Sequence, residues 1–569
     1  MLFLGRAINR IAMTADTVDL KQPYLTRQLI AYLGSKRALL PHLYEVLGEI
    51  AADHPIVFAD PFAGSGAVSR LAKAMGFEVR CNDWEPYTYA VNRCHIGLDG
   101  RETNAVFEHA GGIDEFFRRF GKTGPPADEY IAKYYAPQNT VTADYRTERL
   151  FYTRENALFI DSVRERIETE YPENDSVERT LLLASLIYQA ATHVNTNGVF
   201  KAYHRGFGGY GKDALSRIMR PMKLQAPLLF PGTRRCTVSC EDAAVFVRRM
   251  TTDICYLDPP YNQHQYGSNY HLLNTIVLWD KPVPDSGLRP DGRLREKAGI
   301  RKDWRKTRSM FCYRESARKA MKELLDVVDA RFILVSYNTE GIIPFLDLYD
   351  MLAETGSVSI RTSPYLKYRG GKQSINRHTY NHEFVFLLDR SNPVAGSRRI
   401  ERGTAERFIL ERRLEVLLRS SFNPERVAGS FAKSDERLTI AFSNGGSAVL
   451  KSQYGYSLSI DRKVLSSMGF EQLRELAKVL DYCQTADRQE EAAVIIGLLE
   501  SGTAEADMRY FLKRLIRVVK KFAHKKYRRE FEDTIDMIHK RIGAAIRGNS
   551  SFLDDLAEVE RIAKLRFDG

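Results

Sequence analysis

Four consecutive residues, Asp258-Pro259-Pro260-Tyr261, carry the most readable chemistry in this chain. They follow the apolar run DICYL and so sit where a buried strand would end. Proline has a fixed φ and no N–H, so a carboxylate beside two prolines sits on a stiff turn whose carbonyls point in set directions. Such a pair of acceptors suits the exocyclic N6 amine of an adenine, whose lone pair is delocalised into the ring. If the carboxylate takes one amine hydrogen and a backbone carbonyl the other, a pyramidal nitrogen is favoured and its lone pair is exposed. Tyr261 adds a flat face on which an extruded base can stack, worth roughly 1–3 kcal/mol. Alone, the tetrapeptide is equally consistent with an ordinary strand-to-loop turn.

Its context comes from the segment Asp60-Pro61-Phe62-Ala63-Gly64-Ser65-Gly66, which follows the run PIVFA and opens the helical pattern AVSRLAKAM. Gly64 and Gly66 permit a tight turn and a close backbone approach to a ligand. The next apolar run ends in Asn82-Asp83, and an acid at the tip of a second strand is placed to accept hydrogen bonds from ribose hydroxyls. The loop has no phosphate-binding lysine and is not G-x-G-x-x-G, so a nucleoside without phosphates fits it better than a dinucleotide or ATP.

These residues need elements to position them. PIVFAD (55–60), EVRCND (78–83), DICYLD (253–258) and RFILVSY (331–337) read as buried strands, with helical patterns such as KRALLPHLYEVLGEIAAD between them. The alternation predicts an α/β doubly wound, mostly parallel sheet. EFVFLLD (383–389) is expected as a last strand, antiparallel at one edge. Between about residues 100 and 232 the pattern is interrupted by two amphipathic helices, in TERLFYTRENALFIDSVRERIETE and DSVERTLLLASLIYQAATHV, and by the Gly-, aromatic- and basic-rich NTNGVFKAYHRGFGGYGK. DRSNPVAGSRRIERG reads as a linker, followed by strand-like RLTIAFSNGGSAVL and YGYSLSID and then helices. The expected layout is a discontinuous catalytic domain over 27–110 and 233–392, an inserted helical target-recognition subdomain over 111–232, and a C-terminal α+β accessory domain over 404–569.

At 569 residues the chain is too long for one ordinary core. Its 44% hydrophobic and 27% charged composition is that of a globular protein. No run approaches the roughly 18 apolar residues of a membrane helix, and the start MLFLGRAINRIAM lacks an apolar h-region and cleavage site, so a cytoplasmic, membrane-free protein is expected. The seven cysteines are scattered; Cys236 and Cys240 lie four apart with no completing pair or histidine, and no metal site is expected. The net charge of +12 suits a polyanionic partner.

Taken together, the ordered set resembles the D12 class, or alpha group, of N6-adenine DNA methyltransferases. It comprises Tyr32-Leu33-Gly34-Ser35-Lys36, then DPFAGSG, NDWEP, an insertion and finally DPPY. The run DPPYNQHQYGSNYHLLNTI is most similar to methylases of type II restriction–modification systems of the FokI and NlaIII kind. Asn195-Thr196-Asn197-Gly198-Val199-Phe200-Lys201 stands where the class has N-x-x-G-x-F-N. The resemblance covers roughly residues 27 to 390. It implies a Rossmann-like S-adenosylmethionine-dependent fold and base flipping in double-stranded DNA, with Asp258, Pro259, Pro260 and Tyr261 binding and activating the target amine. It further implies that the cofactor meets Tyr32, Lys36, Asp60, Phe62, Gly64, Gly66, Asp83 and Asp242. Among these, Lys36 is expected to pair with the methionine carboxylate, Asp60 to lie near its amino group, Asp83 to bind ribose and Asp242 to lie near the adenine. A cognate restriction endonuclease is the further partner implied, and a monomer is expected.

Between Arg509 and Arg529 there are ten Lys or Arg and no Asp or Glu. The stretch reads as a helix with apolar Phe511, Leu512, Leu515, Ile516, Val518 and Val519, and Lys513, Arg517, Lys520 and Lys521 are expected to contact phosphates rather than form merely a solvated face. Lys201 and Arg205, and Arg305 and Lys306 in RKDWRKTRS, are further candidate DNA contacts, with Trp304 either touching DNA or anchoring its loop. KYRGGKQSINRH (367–378) is expected as a basic hairpin over the site. His193, His204 and His264 read as polar loop or surface residues. An RNA adenine methyltransferase, a DNA-binding protein without catalysis, and a nuclease fused in 404–569 are the rivals; the region shows no convincing paired-acid-plus-lysine motif.

Overall fold

The four apolar runs form the parallel heart of a seven-stranded sheet in the computed structural model, which describes residues 18–51, 56–122, 124–209, 212, 214–232, 234–339, 341–368, 380–391 and 398–568. The strands are β1 (Val57–Asp60), β2 (Glu78–Asn82), β3 (Thr237–Ser239), β4 (Thr251–Leu257), β5 (Asp329–Asn338), β6 (Ser357–Tyr368) and β7 (Tyr380–Asp389). Their order is β3-β2-β1-β4-β5-β7-β6. β1 pairs in parallel with both β2 and β4, so the winding reverses at β1 and opens a crevice at the carboxyl ends of β1 and β4. Asp60 and Asp258 stand at those ends, and Asp83 stands just beyond β2.

β7 is antiparallel to β5, as expected, but it is not at the edge: β6 lies outside it. The reason is in the side chains. Phe384, Val385, Phe386, Leu387 and Leu388 are all buried, so both faces and both sides of β7 need cover. β6 alternates polar and apolar residues and carries Pro364, whose missing N–H is tolerated on an edge. One face of the sheet is covered by helices Leu40–Ile50 and Ala67–Ala74, whose Leu43, Leu47, Val68 and Leu71 pack on Phe58, Val79 and Ile254.

The inserted helices begin at capping hydroxyls. Thr153 accepts from Asn156 N and Ser176 from Arg179 N, starting helices Arg154–Glu170 and Val177–His193. Thr153 therefore starts the helix late; Arg149, Leu150, Phe151 and Tyr152 are buried but non-helical. The core of these helices, including Ile160, Val163, Leu182 and Leu186, is continuous with Tyr87 and Val91 of helix Pro86–Asn92 and with Leu272, Leu273 and Ile276 of helix His271–Leu278. The segment expected as a subdomain of its own thus shares one core with the sheet's flanking helices.

The chain forms two compact units, Met1–Tyr365 with Glu383–Ala395, and Leu366–His382 with Gly396–Gly569. Within the second, helix Arg398–Leu417 already occupies the last residues of the expected linker. An antiparallel sheet, in order β11-β10-β9-β8, joins β8 (Ala432–Ser434), β9 (Arg437–Ala441), β10 (Ser447–Gln453) and β11 (Ser457–Ser459). Leu438, Ile440 and Leu450 of this sheet share a core with Leu414 and with Leu473 and Leu476 of helix Phe470–Cys483. Helices Arg488–Glu500, Glu505–Phe522 and Ser550–Asp568 close a second core.

Candidate active site

The loop after β1 is held by its own backbone and by two side chains. Ala63 N donates to Asn82 O at 2.9 Å, and Gly66 N to Ala63 O at 2.8 Å. Gly64 and Gly66 have φ of +50° and +75°. A Cβ on Gly66 would fall 2.1 Å from Asn92 Oδ1, and one on Gly64 would fall 2.8 Å from the Tyr32 ring, so only glycine fits either place. Asp83 braces the loop from below: Oδ2 accepts from Gly64 N at 2.8 Å and Oδ1 from Glu85 N at 3.0 Å. Burial raises its pKa, against the pull of those two N–H groups.

Asn82 does work that sequence reasoning missed. Its Nδ2 donates to Pro61 O at 3.2 Å and to Glu241 O at 3.0 Å, and its Oδ1 accepts from Glu241 N at 3.1 Å, so one amide ties the ends of β1, β2 and β3 together. The available signal was an amide at the end of a buried strand, where every polar group needs a partner.

Asp60 is 1% exposed. Its Oδ2 accepts from Ser69 Oγ at 2.6 Å, while the buried Oδ1 has no hydrogen-bond partner among the described residues. Burial, with the nearby charge of Asp258, pushes its pKa up to about 7 despite the Ser69 hydroxyl. An acid in this condition gains from a cation brought to its open oxygen.

Tyr32 lies in a column of parallel rings, 5.0 Å from Tyr266 and 5.4 Å from Tyr270. Tyr266 Oη donates to Leu33 O at 2.8 Å, and Leu33 N donates to Tyr270 Oη at 2.7 Å. The two tyrosines after DPPY therefore rivet the Tyr32–Lys36 segment to the site; their spacing of four in NQHQYGSNYH was the unread signal.

Lys36 lines the crevice beside the DPPY turn. Its ammonium lies 3.1 Å from Asp258 Oδ1, 3.6 Å from Glu383 Oε2 and 5.0 Å from the centre of the Tyr261 ring. The Asp258 contact is an ion pair. At 3% exposure the ammonium needs anions of the protein itself, and the nearest are these two carboxylates. Burial works against its charge, yet Asp258, with Glu383 adding, holds its pKa well above the ordinary lysine value. The DPPY turn is tied in turn by Ile342 N donating to Tyr261 O at 3.1 Å, and the Tyr261 ring meets Tyr337 edge-on at 5.8 Å.

Asp242 caps helix Ala243–Arg248, its Oδ1 accepting from Ala244 N at 2.9 Å and Val245 N at 3.3 Å, so it has a structural task besides facing the crevice. Glu85 is buried, accepts from Asn274 Nδ2 at 2.6 Å, and is pushed up to about 7 by burial. Together these groups enclose a cavity of about 230 Å³. Every expected catalytic and cofactor residue lines it except Gly66, which shapes the loop from behind. Ser309, Met310 and Phe311 close its far side, Phe311 standing edge-on to Phe62 at 5.5 Å.

Lys201, Arg205, Arg305 and Lys306 are all exposed. The last two lie in the turn Lys302–Thr307, whose Thr307 reaches the cavity rim. Trp304 is half-buried against Gly267 with Arg308 over its ring at 5.1 Å, which makes it the loop's anchor. His193 is buried, its Nδ1 lying 3.0 Å from Gln189 O, and is not a surface residue. The expected hairpin (367–378) lies, over 369–378, outside the described residues.

In the basic stretch, the helix runs Glu505–Phe522 and a new one starts at Arg528, so the expected single helix is broken at His524–Tyr527. Its six predicted apolar residues are all buried. Arg509, Lys513, Arg517 and Lys520 are exposed and Lys521 is half-buried, whereas Arg514 turns inward to Glu491 at 2.7 Å.

Residues 32–294 match the model of the D12 class N6 adenine-specific DNA methyltransferases. The chain is 30% identical over 363 residues to the type II methyltransferase M.NlaIII of Neisseria lactamica, a match covering 63% of this chain and 97% of that protein. It is 28% identical over 368 residues to M.CviAII of Paramecium bursaria Chlorella virus 1, covering 63% and 99%. With M.FokI of Planomicrobium okeanokoites it shares 28% over 385 residues, which is 65% of this chain but 55% of that protein.

Proposed function

Because the chain belongs to the D12 class of N6-adenine-specific DNA methyltransferases, we propose that its crevice binds S-adenosylmethionine and presents the methyl group to an adenine flipped out of duplex DNA. The observation that carries this reading is the convergence of Asp60, Asp83 and the Asp258–Tyr261 turn on one cavity at the point where the strand order reverses. The donor set fits the cofactor. The buried, open Oδ1 of Asp60 suits its α-ammonium, and Asp83 keeps acceptor capacity for ribose hydroxyls beyond the two N–H groups it already holds. Phe62 and the Tyr32 column supply flat apolar walls. When bound, the cofactor supplies an electrophilic methyl carbon with a thioether as leaving group.

The protein's part is orientation. Asp258 accepts one hydrogen of the amine and a carbonyl of the Pro259–Pro260 turn accepts the other. Tyr261 stacks on the base, and Lys36 keeps Asp258 ionised. Holding amine and methyl carbon in line is the main entropic gain such a site can offer. Lys201, Arg205, Arg305 and Lys306, with Lys513, Arg517, Lys520 and Lys521, would contact phosphates and so position the duplex without reading its sequence. We place this activity in the cytoplasm, in a monomer that protects DNA from a cognate endonuclease. Among the described residues no helix is long and apolar enough to cross a membrane.

The test is direct. Purified protein given tritiated S-adenosylmethionine and unmodified duplex DNA, without magnesium, should yield labelled N6-methyladenine on nucleoside digestion. Label in N4-methylcytosine, or only in RNA, would overturn the reading.

A further inference from the structure

The motifs account for Lys36, Asp258 and Tyr261, but not for the second carboxylate beside them. Glu383 is 5% exposed on β7, opposite Asn338 at the carboxyl end of β5. Its Oε2 is 3.6 Å from Lys36 Nζ, against 3.1 Å for Asp258 Oδ1. Since Coulomb attraction falls as the inverse of distance, at equal dielectric the Glu383 contact is about six-sevenths as strong as the Asp258 contact. One buried ammonium is thus shared almost evenly between two carboxylates.

We propose that Glu383 is a positioning residue for methyl transfer: it divides the charge of Lys36, so that Asp258 is left able to accept from the target amine and then to take its proton. The proposal rests on the role given to Asp258 above. As the bond from N6 to the methyl carbon forms and the bond from that carbon to sulfur breaks, the positive charge passes to N6. The cationic nitrogen then loses one hydrogen as a proton to the Asp258 carboxylate and becomes a neutral methylamine. Lys36, Asp258 and Glu383 begin with a net charge of −1 and end neutral, with Lys36 still paired to Glu383. Without Glu383 the same proton would leave a buried ammonium with no anion, an arrangement that costs several kcal/mol. Lys36 would then hold Asp258 as its sole carboxylate, drawing it from the amine and resisting its protonation.

The other titratable groups facing Asp258 are Tyr261, Tyr256 and Tyr266, and Asp60 from the end of β1. All are unchanged in the variants that test the proposal. Glu383→Gln keeps the shape and removes the charge; Glu383→Asp keeps the charge. Both are assayed by single-turnover transfer to unmodified plasmid DNA from pH 5 to 9, with cofactor affinity and melting temperature measured alongside. Glu383→Gln should slow transfer by about tenfold or more, the scale of a displaced charged hydrogen-bond partner, and leave cofactor affinity within about twofold. The acid limb of its profile should move to lower pH, because Asp258 then faces Lys36 without a second anion. Glu383→Asp should recover most of the rate and the wild-type limb. An unchanged rate in Glu383→Gln, or equal losses in both variants with the limb unmoved, would overturn the inference. Asp258→Ala separates the two levels: if it transfers normally, the site reading falls and this inference with it, whereas loss in Asp258→Ala with normal Glu383→Gln sinks this inference alone.

Discussion

Positive charge serves two ends in this protein. In the first unit, Lys36 is buried and clasped by two carboxylates within 3.6 Å. In the second, Arg509, Lys513, Arg517 and Lys520 follow one another at spacings of four, four and three on the exposed face of helix Glu505–Phe522. The buried charge acts at short range in a medium that screens it little, so small displacements are felt strongly. The exposed charges work against water and salt, whose screening length is about 10 Å at 0.1 M, so they act additively and weakly on any polyanion. The chemistry proposed for the crevice is therefore of a kind that one atom can abolish, whereas the phosphate binding proposed for the helix would be lost by degrees.

That contrast makes Asp258→Ala the harshest test. Removing the carboxylate leaves the cofactor walls intact but gives the amine no ionic acceptor. Single-turnover methyl transfer should fall by at least about a hundredfold, the scale of a lost transition-state hydrogen bond, while cofactor and DNA still bind. A variant with near-normal transfer would place the chemistry elsewhere.

The next effect is smaller and depends on pH. Asp60, pushed up to about 7 by burial, is largely protonated in the free protein below that value, whereas a bound ammonium requires the ionised form. Cofactor binding should therefore release a proton below pH 7, and affinity should weaken by up to about tenfold per pH unit between 6.5 and 5.5, with no such dependence from Asp60 above 7.5. Calorimetry in buffers of different ionisation enthalpy measures the released proton. Glu85 titrates near the same value, so Asp60→Asn is the necessary comparison: it should bind more weakly at pH 7.5 and lose most of the pH dependence. An unaltered dependence in Asp60→Asn would remove this residue from the cofactor's ammonium.

How well each region could be read from sequence follows from the same contrast. Asp60, Asp83 and Asp258 were legible because each ends an apolar run, and an α/β sheet brings such ends to one edge. The six apolar residues of the basic helix were legible from their period, and all are buried. The partners of Lys36 were not, because Asp258 and Glu383 lie hundreds of residues away and only the completed order of β4, β5 and β7 brings them together. β3 is three residues long and gives no periodicity to detect, and β6 hides behind Pro364 and its polar alternation. The inward turn of Arg514 was not legible for the same reason: its anion belongs to another helix.

Arg514 and Arg517 turn that last point into the finest test, because they are three residues apart on one helix and face opposite environments. Glu491 is 2% exposed, accepts from Tyr456 Oη at 3.0 Å, and has Arg514 at 2.7 Å as its counter-ion. Arg514→Ala should lower stability by about 3–5 kcal/mol, as expected when a buried carboxylate loses its partner, and its effect on the salt dependence of DNA binding should be slight. Arg517→Ala and Lys513→Gln should do the reverse, leaving the melting temperature nearly unchanged. Each should flatten the log–log dependence of DNA affinity on salt by about 0.9, equivalent to roughly three- to fourfold between 50 and 200 mM, with no preference among sequences. Lys520→Gln should have a smaller effect, since Lys520 also assists Arg561 in holding the Glu558 carboxyl low and is partly committed to it. Slopes unchanged in Arg517→Ala and Lys513→Gln would make the stripe a solvated surface, and the accessory role of the second unit in DNA binding would lose its support.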